Sequence, residues 1–355
     1  MFSFADHRSD PESWARALGI SREAVEIYLA SDVIDLHIDS FIWTRIFGYD
    51  LTRRHGRGLF NARFYSQVDL PRIREAQVSG GIWVITTNPS RSARGRTRAF
   101  FRNLDRLRKI LDSASDDVTV VRTAAEYRAA RAAGKHAAFL GIQGGNALDG
   151  EPDAIERIPD RLIVRVTLVH LSSSSLGATS APGGGDAGLT EAGHDYVRRL
   201  EAQKIFVDLA HINRRGFFDA LSAHDPSLPV IVTHTGVTGV KPHWRNLDDE
   251  QLKAIASTGG TVGVMYQTSF LGDGFWNGRA EWIVDHLAHI VKVAGEDFAS
   301  LGSDWDGAIV TPRDLPTCLE LPRLAQLMLD RGWSPERIGK ILGGNWLRTL
   351  ALMRG

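Results

Sequence analysis

Short apolar runs recur along this chain, and nearly every one ends on a residue that can hold a metal or move a proton. The eight runs are residues 33–39 (VIDLHID), 81–87 (GIWVITT), 137–143 (AAFLGIQ), 163–170 (IVRVTLVH), 205–211 (IFVDLAH), 230–234 (VIVTH), 261–267 (TVGVMYQ) and 298–304 (FASLGSD). A strand buried on both faces of a parallel sheet reads as continuous apolar sequence rather than as alternation. Helix-length segments separate the runs, which is the pattern of βα units. Eight such units predict an α/β fold of the (β/α)8 TIM-barrel type, spanning 32–355 after a short helical extension over 1–31. Active sites of such barrels lie at the C-terminal ends of the strands. His37, Asp39, Gln143, His170, His211, His234 and Asp304 are therefore expected to converge although they lie far apart in sequence.

The intervening segments support this reading. Within 1–31, Ser21 can cap a helix running to Tyr28. Residues 41–80 are long for one βα connection, and 70–77 are assigned to the end of the first barrel helix. Helices are expected at 97–111, 124–133, 190–203, 213–223, 248–257 and 279–294, another opening at Ser334-Pro335, and a covering helix at 345–353. A short extra strand is expected at 118–121. The Ser/Gly-rich segment 172–188 reads as a mobile loop over the mouth of the barrel, with a lid and a plain connector both open.

Composition narrows the function classes. Lys plus Arg equals Asp plus Glu, at 42 each, so there is no basic excess of the kind nucleic-acid binders carry. The basic stretch 91–109 reads as a solvated helix face in preference to an anion or acidic-partner surface. Cys318 is the sole cysteine, which excludes an intrachain disulfide and reads as a small buried packing residue. No apolar run reaches membrane-spanning length. The charged N-terminal residues do not resemble a signal peptide. A cytoplasmic enzyme acting on a small molecule, without a nucleic-acid or membrane partner, is the expectation; a homodimer is compatible with the sequence, although no interface can be read from it.

The candidate chemistry is that of a metal. His37 and Asp39, two apart on a strand, point the same way. Their weight comes from His211, His234 and Asp304, each closing another run. Imidazole and carboxylate together suit Zn²⁺, with Fe²⁺, Mn²⁺ or Co²⁺ as alternatives. A bound ion lowers the pKa of its water and polarises a carbonyl, and Asp304 is placed to pass the water's proton to a leaving amine. The sequence has no G-x-S-x-G elbow, no phosphate loop and no dinucleotide fingerprint.

The segments DLHIDS (35–40), GIQGGNAL (141–148), RVTLVH (165–170), GLTEAG (188–193), DLAHI (208–212), VTHTG (232–236), RNLDD (245–249), AGEDFASLGSDWDG (294–307) and GGNWLR (343–348) occur in the order of a known family. Over nearly its whole length the chain resembles the membrane (renal) dipeptidase family of the amidohydrolase superfamily. The resemblance implies a metal-dependent hydrolase of a dipeptide or similar carboxylate-bearing amide. It assigns His37 and Asp39 to one zinc and His211 and His234 to a second. His170 corresponds to the residue that stabilises the oxyanion and contacts substrate, Arg245 to the one that grips the terminal carboxylate, and Asp304 to the proton-handling aspartate. One departure stands out: the glutamate that bridges both metals in the family is Gln143 here, and the histidine after it is Asn146. A neutral amide offers one weak donor oxygen where a carboxylate offers two anionic ones. Ser172–Ser175 also depart from the family pattern near the substrate. Three readings follow: a one- or two-zinc dipeptidase; a mononuclear amidohydrolase or natural-product tailoring enzyme; and a catalytically silent binding barrel.

Overall fold

The computed structural model describes residues 1–355, the side chain of Leu59 excepted. Nine strands form one sheet: β1 (Ile34–Ile38), β2 (Gly80–Thr86), β3 (Val118–Val120), β4 (His136–Gln143), β5 (Ile163–Thr167), β6 (Phe206–Asp208), β7 (Val232–Thr235), β8 (Val262–Val264) and β9 (Ala299–Leu301). The order β6-β5-β4-β2-β1-β9-β8-β7 contains only parallel pairs, and an Asp208–Ile231 bridge joins its two ends. Eight parallel strands thus close into the barrel that the apolar runs predict. β3, the expected extra strand, lies outside the ring and pairs with the first half of β4.

Every residue of the eight barrel strands is buried, which explains their continuous apolar character. Closure between β7, β8 and β9 depends on missing side chains. A Cβ at Gly263 would lie 2.0 Å from the Thr233 carbonyl oxygen, and one at Gly302 would lie 1.8 Å from it.

The helices are α1 (Pro11–Leu18), α2 (Arg22–Ala30), α3 (Phe41–Phe47), α4 (Leu70–Glu75), α5 (Ala93–Ser113), α6 (Ala124–Ala132), α7 (Glu191–Ala202), α8 (Arg214–Ala223), α9 (Asp249–Ser257), α10 (Thr268–Leu271), α11 (Glu281–Ala294), α12 (Pro322–Asp330), α13 (Pro335–Gly339) and α14 (Asn345–Arg354). Many begin where a capping side chain stands: Ser21, Ser92, Thr123, Thr190, Asn213 and Ser334 each accept a bond from a first-turn amide, and Asp248 forms a capping box with Gln251. The N-terminal stretch holds two helices where one was expected. Asp10 caps α1, Pro11 opens it and Gly19 ends it in the left-handed region. Trp14 and Tyr28 of this pair are buried edge to face, and the Tyr28 hydroxyl donates to the Ala76 carbonyl. Cys318 is fully buried, as expected.

The segment 172–188 is stitched to the barrel. Thr179 Oγ1 donates to the His170 and His211 carbonyls, Gly177 pairs with Leu189, and Asn213 Nδ2 donates to the Gly185 and Ala187 carbonyls.

Candidate active site

All the polar residues singled out at the ends of the runs meet at the mouth of the barrel, together with Arg245. β1 supplies His37, with Asp39 just beyond it; β4 ends on Gln143, β7 carries His234, and loops after β5, β6 and β9 supply His170, His211 and Asp304. His37, His234 and Asp304 bring ligand atoms within 4.8 Å of one another. His211 Nε2 faces His234 Nε2 at 2.9 Å, and Gln143 Nε2 lies 3.2 Å and 3.4 Å from those same two nitrogens. Asp39 is linked to this group through Thr86, whose hydroxyl donates to Asp39 Oδ1 at 2.5 Å and lies 3.2 Å from Gln143 Oε1. The His170 ring stands edge-on 4.7 Å from the His211 ring, and Arg245 donates to the His234 carbonyl oxygen at 2.6 Å. His211 and Asp304 both have left-handed backbones, with φ of 68° and 65°. Non-glycine residues hold that conformation only where their surroundings enforce it.

The electrostatics favour neutral imidazoles. Burial, then neighbouring Arg and His residues, hold His37, His211 and His234 well below the ordinary imidazole value. Enclosure and Arg245 push His170 down to about 3. Burial raises Asp39 to about 7, Thr86 opposing, and raises Asp304 well above the usual carboxylate range, with Asp39 adding to the effect. A site that keeps imidazoles neutral and makes carboxylate charge costly calls for a cation.

The donor set fits one. His37 Nε2 and His211 Nδ1 are buried without a hydrogen-bond partner, and His37 Nε2 lies 3.6 Å from Asp304 Oδ1. The tautomer of His234 is also suitable. Thr233 Oγ1 gives its one proton to Asp208 Oδ2 at 2.7 Å, so at 2.9 Å it accepts from His234 Nδ1–H and leaves the Nε2 lone pair facing the site. His37 differs, because Arg165 donates to its Nδ1 at 2.7 Å and a neutral ring then keeps its proton on Nε2. Taking an ion at Nε2 requires that proton to leave or to move to Nδ1, where the Arg165 Nη2 bond would have to give way; Arg165 is held independently through Nη1, 3.2 Å from Asp208 Oδ2.

The family model described as membrane dipeptidase (peptidase family M19) matches residues 21–353. The chain belongs to the membrane dipeptidase family. Among membrane dipeptidase relatives, dipeptidase tcpJ of Claviceps purpurea is 30% identical over 295 residues, covering 80% of this chain and 68% of that protein. The matched regions span 64% and 68% of the length of two curated relatives. A solved structure described as the dipeptidase AC, a metallopeptidase of family M19, is 27% identical with a TM-score of 0.81, covering 91% of this chain and 98% of that one. A Rhodobacter sphaeroides metallopeptidase, solved with a phosphinate mimic of the dipeptide L-Ala-D-Ala, is 26% identical with a TM-score of 0.78, covering 91% and 99%.

Sequence reasoning missed the residues that support the candidate ligands. Arg165 is fully buried and also donates to the Ile142 carbonyl and to Thr167 Oγ1. Asp208 accepts from Thr167, Thr233 and the Ala210 amide. The available signal was a charged residue inside an otherwise apolar strand, as in IVRVT and IFVD. Burying a charge on a barrel strand is costly unless it is paired.

Proposed function

We propose that the chain is a metal-dependent hydrolase of the dipeptidase type, cleaving a dipeptide or similar amide that bears a free carboxylate. The observation that carries this reading is the buried His37–His234–Asp304 triangle at the barrel mouth of a chain in this family. Zn²⁺ is the ion that imidazole and carboxylate suit best. When bound, it would supply a water of lowered pKa and a polarised substrate carbonyl.

The rest falls to the chain's own side chains. Arg245 holds the substrate carboxylate through its guanidinium. Asp304 takes the proton of the attacking water on a carboxylate oxygen and delivers it to the amide nitrogen, so that the amine leaves neutral. His170, neutral at working pH, donates an N–H to the oxygen that gains negative charge as the carbonyl becomes tetrahedral. His211 and Asp39 complete the polar ring, with Gln143 between them.

Gln143 favours a single tightly held ion. Its amide nitrogen is turned towards His211 and His234 and its oxygen towards Thr86, so it supplies no anion to bridge two dications. A cytoplasmic setting is part of this reading and rests on the single buried cysteine. The test is release of free amino acids from a dipeptide panel. Turnover abolished by chelator, restored by Zn²⁺ and lost in Asp304→Asn is the expected result. Chelator-insensitive turnover, or none with any metal, would overturn it.

A further inference from the structure

Beside the histidines the barrel mouth opens into a cavity of about 570 Å³ between α3, the end of β2 and the first half of α5. Thr86 and His170 line it, so it is continuous with the active site. The lining mixes apolar Ile42 and Phe100 with Arg45, Arg91, Arg102 and Arg106, and no Asp or Glu contributes to it. A fifth arginine, Arg96, is neutralised by a two-pronged bond to Asp149 at 2.7 and 2.8 Å.

The other four are not neutralised: among the described residues none lies within 4 Å of a carboxylate. Arg45 donates from Nη1 to the Thr86 carbonyl at 2.7 Å, while its Nε is buried without a partner. Arg106 donates only to the Thr44 carbonyl. Burial holds Arg45 below its ordinary value; Asp39 opposes this, and Arg106 and Arg91 add to it, so the three guanidiniums share one field. Uncompensated like charges around a concave, partly apolar space raise the local concentration of anions. In the closed ring of strands β2 stands opposite β7, and Arg245 follows β7. A substrate whose carboxylate rests on Arg245 therefore extends across the site towards this cavity.

We infer that the arginine cavity receives a second carboxylate, carried on the residue N-terminal to the scissile bond, so that the preferred substrates are dipeptides beginning with Asp or Glu. Placing Arg245 at the other end rests on the dipeptidase reading. The planar guanidinium matches a carboxylate with two parallel bonds, and the apolar residues of the lining take the methylenes of the acidic side chain. An unmodified lysyl substrate would place a cation among the arginines.

The zinc-loaded protein should be assayed with Glu-Ala, Gln-Ala and Lys-Ala. Glu-Ala should exceed Gln-Ala in kcat/KM by about tenfold or more, chiefly through KM, with Lys-Ala slowest. In the double variant Arg91→Gln/Arg106→Gln, two exposed positions, the Glu-Ala to Gln-Ala ratio should fall to near one. Equal turnover of Glu-Ala and Gln-Ala, or a ratio untouched by the double variant, overturns the inference. Calorimetry with glutarate separates this failure from that of the hydrolase reading: binding weakened about tenfold in the double variant supports the cavity even if no dipeptide is cleaved. Binding of inorganic phosphate without glutarate, or glutarate binding insensitive to both substitutions, contradicts it.

Discussion

Two buried polar clusters lie at the C-terminal end of this barrel, both built partly from the segments that follow β1 and β9. In the first, Asp306 accepts from Ser40, Gln67 and Val68, Gln67 Oε1 accepts from the Asp306 amide, and Gln67 Nε2 donates to the Arg63 carbonyl. Every polar side-chain atom of Ser40, Gln67 and Asp306 is thereby satisfied within the chain. In the second, two residues away, Asp304 and its histidines leave His37 Nε2 and His211 Nδ1 without partners. Buried polar groups are normally paired, and an orphan needs an explanation. The closed cluster uses its charge to hold the loop after β9 against the loop before α4. The open one leaves ring nitrogens that the rest of the chain does not satisfy.

Substitutions should separate the two clusters. The largest effect belongs to the open one: Asp304→Asn should lower kcat by roughly 10²–10⁴-fold while the urea midpoint holds or rises, as expected where function opposes stability. A fall in stability matching the loss of rate would assign Asp304 to the scaffold. Asp306→Ala leaves three buried donors without an acceptor and should cost about 3 kcal/mol in denaturant unfolding, with metal content per folded chain retained. Metal lost from protein that is still folded would erase the distinction between the clusters. Gln143→Glu restores an anion and should raise affinity for a second ion by about tenfold or more in metal titrations; unchanged stoichiometry counts against the single-ion reading of Gln143.

The smallest effect lies outside both clusters. Burial lowers His136 to about 4 from an ordinary 6.5, while its ring donates to the Val78 carbonyl and accepts from Trp83. The unfolded chain takes up this proton near pH 6.5 and the folded chain only near 4, so the unfolded state binds more protons in between. This contribution to stability is complete above about pH 6.5 and falls by at most about 3 kcal/mol as the pH drops to 4. His136→Gln should flatten that part of the profile, and an unaltered slope would show that His136 does not set it.

Legibility in the sequence followed position on the strands. Asp39, Gln143, His211, His234 and Asp304 were readable because each closes an apolar run, where a barrel must place its chemistry, and His37 because it lies two residues before Asp39 on the same strand face. Arg165, Asp208 and Thr233 were not, since a polar residue inside a run can face the barrel interior or the helices, and only the register decides. The last four barrel strands have three or four ladder residues each, fewer than their apolar runs suggest, because the polar ends of those runs lie in loops. α10 and α12 were missed: the first is a single turn, and the second follows directly on the turn at Cys318–Glu320 with Pro322 as its opening residue. The pattern of the basic stretch 91–109 predicts a solvated face, yet Arg91, Arg102 and Arg106 line the cavity where α5 approaches α3 and the end of β2. Helical periodicity does not show which neighbour a polar face meets.

Metal content is the most direct test, measured by mass spectrometry on protein saturated with Zn²⁺ and then dialysed, beside Asp306→Ala and His234→Ala treated alike. About one tightly held equivalent is expected in the parent and in Asp306→Ala, and little in His234→Ala. No retained metal in the parent, or equal retention in all three, would contradict the claim that the open cluster is a metal site.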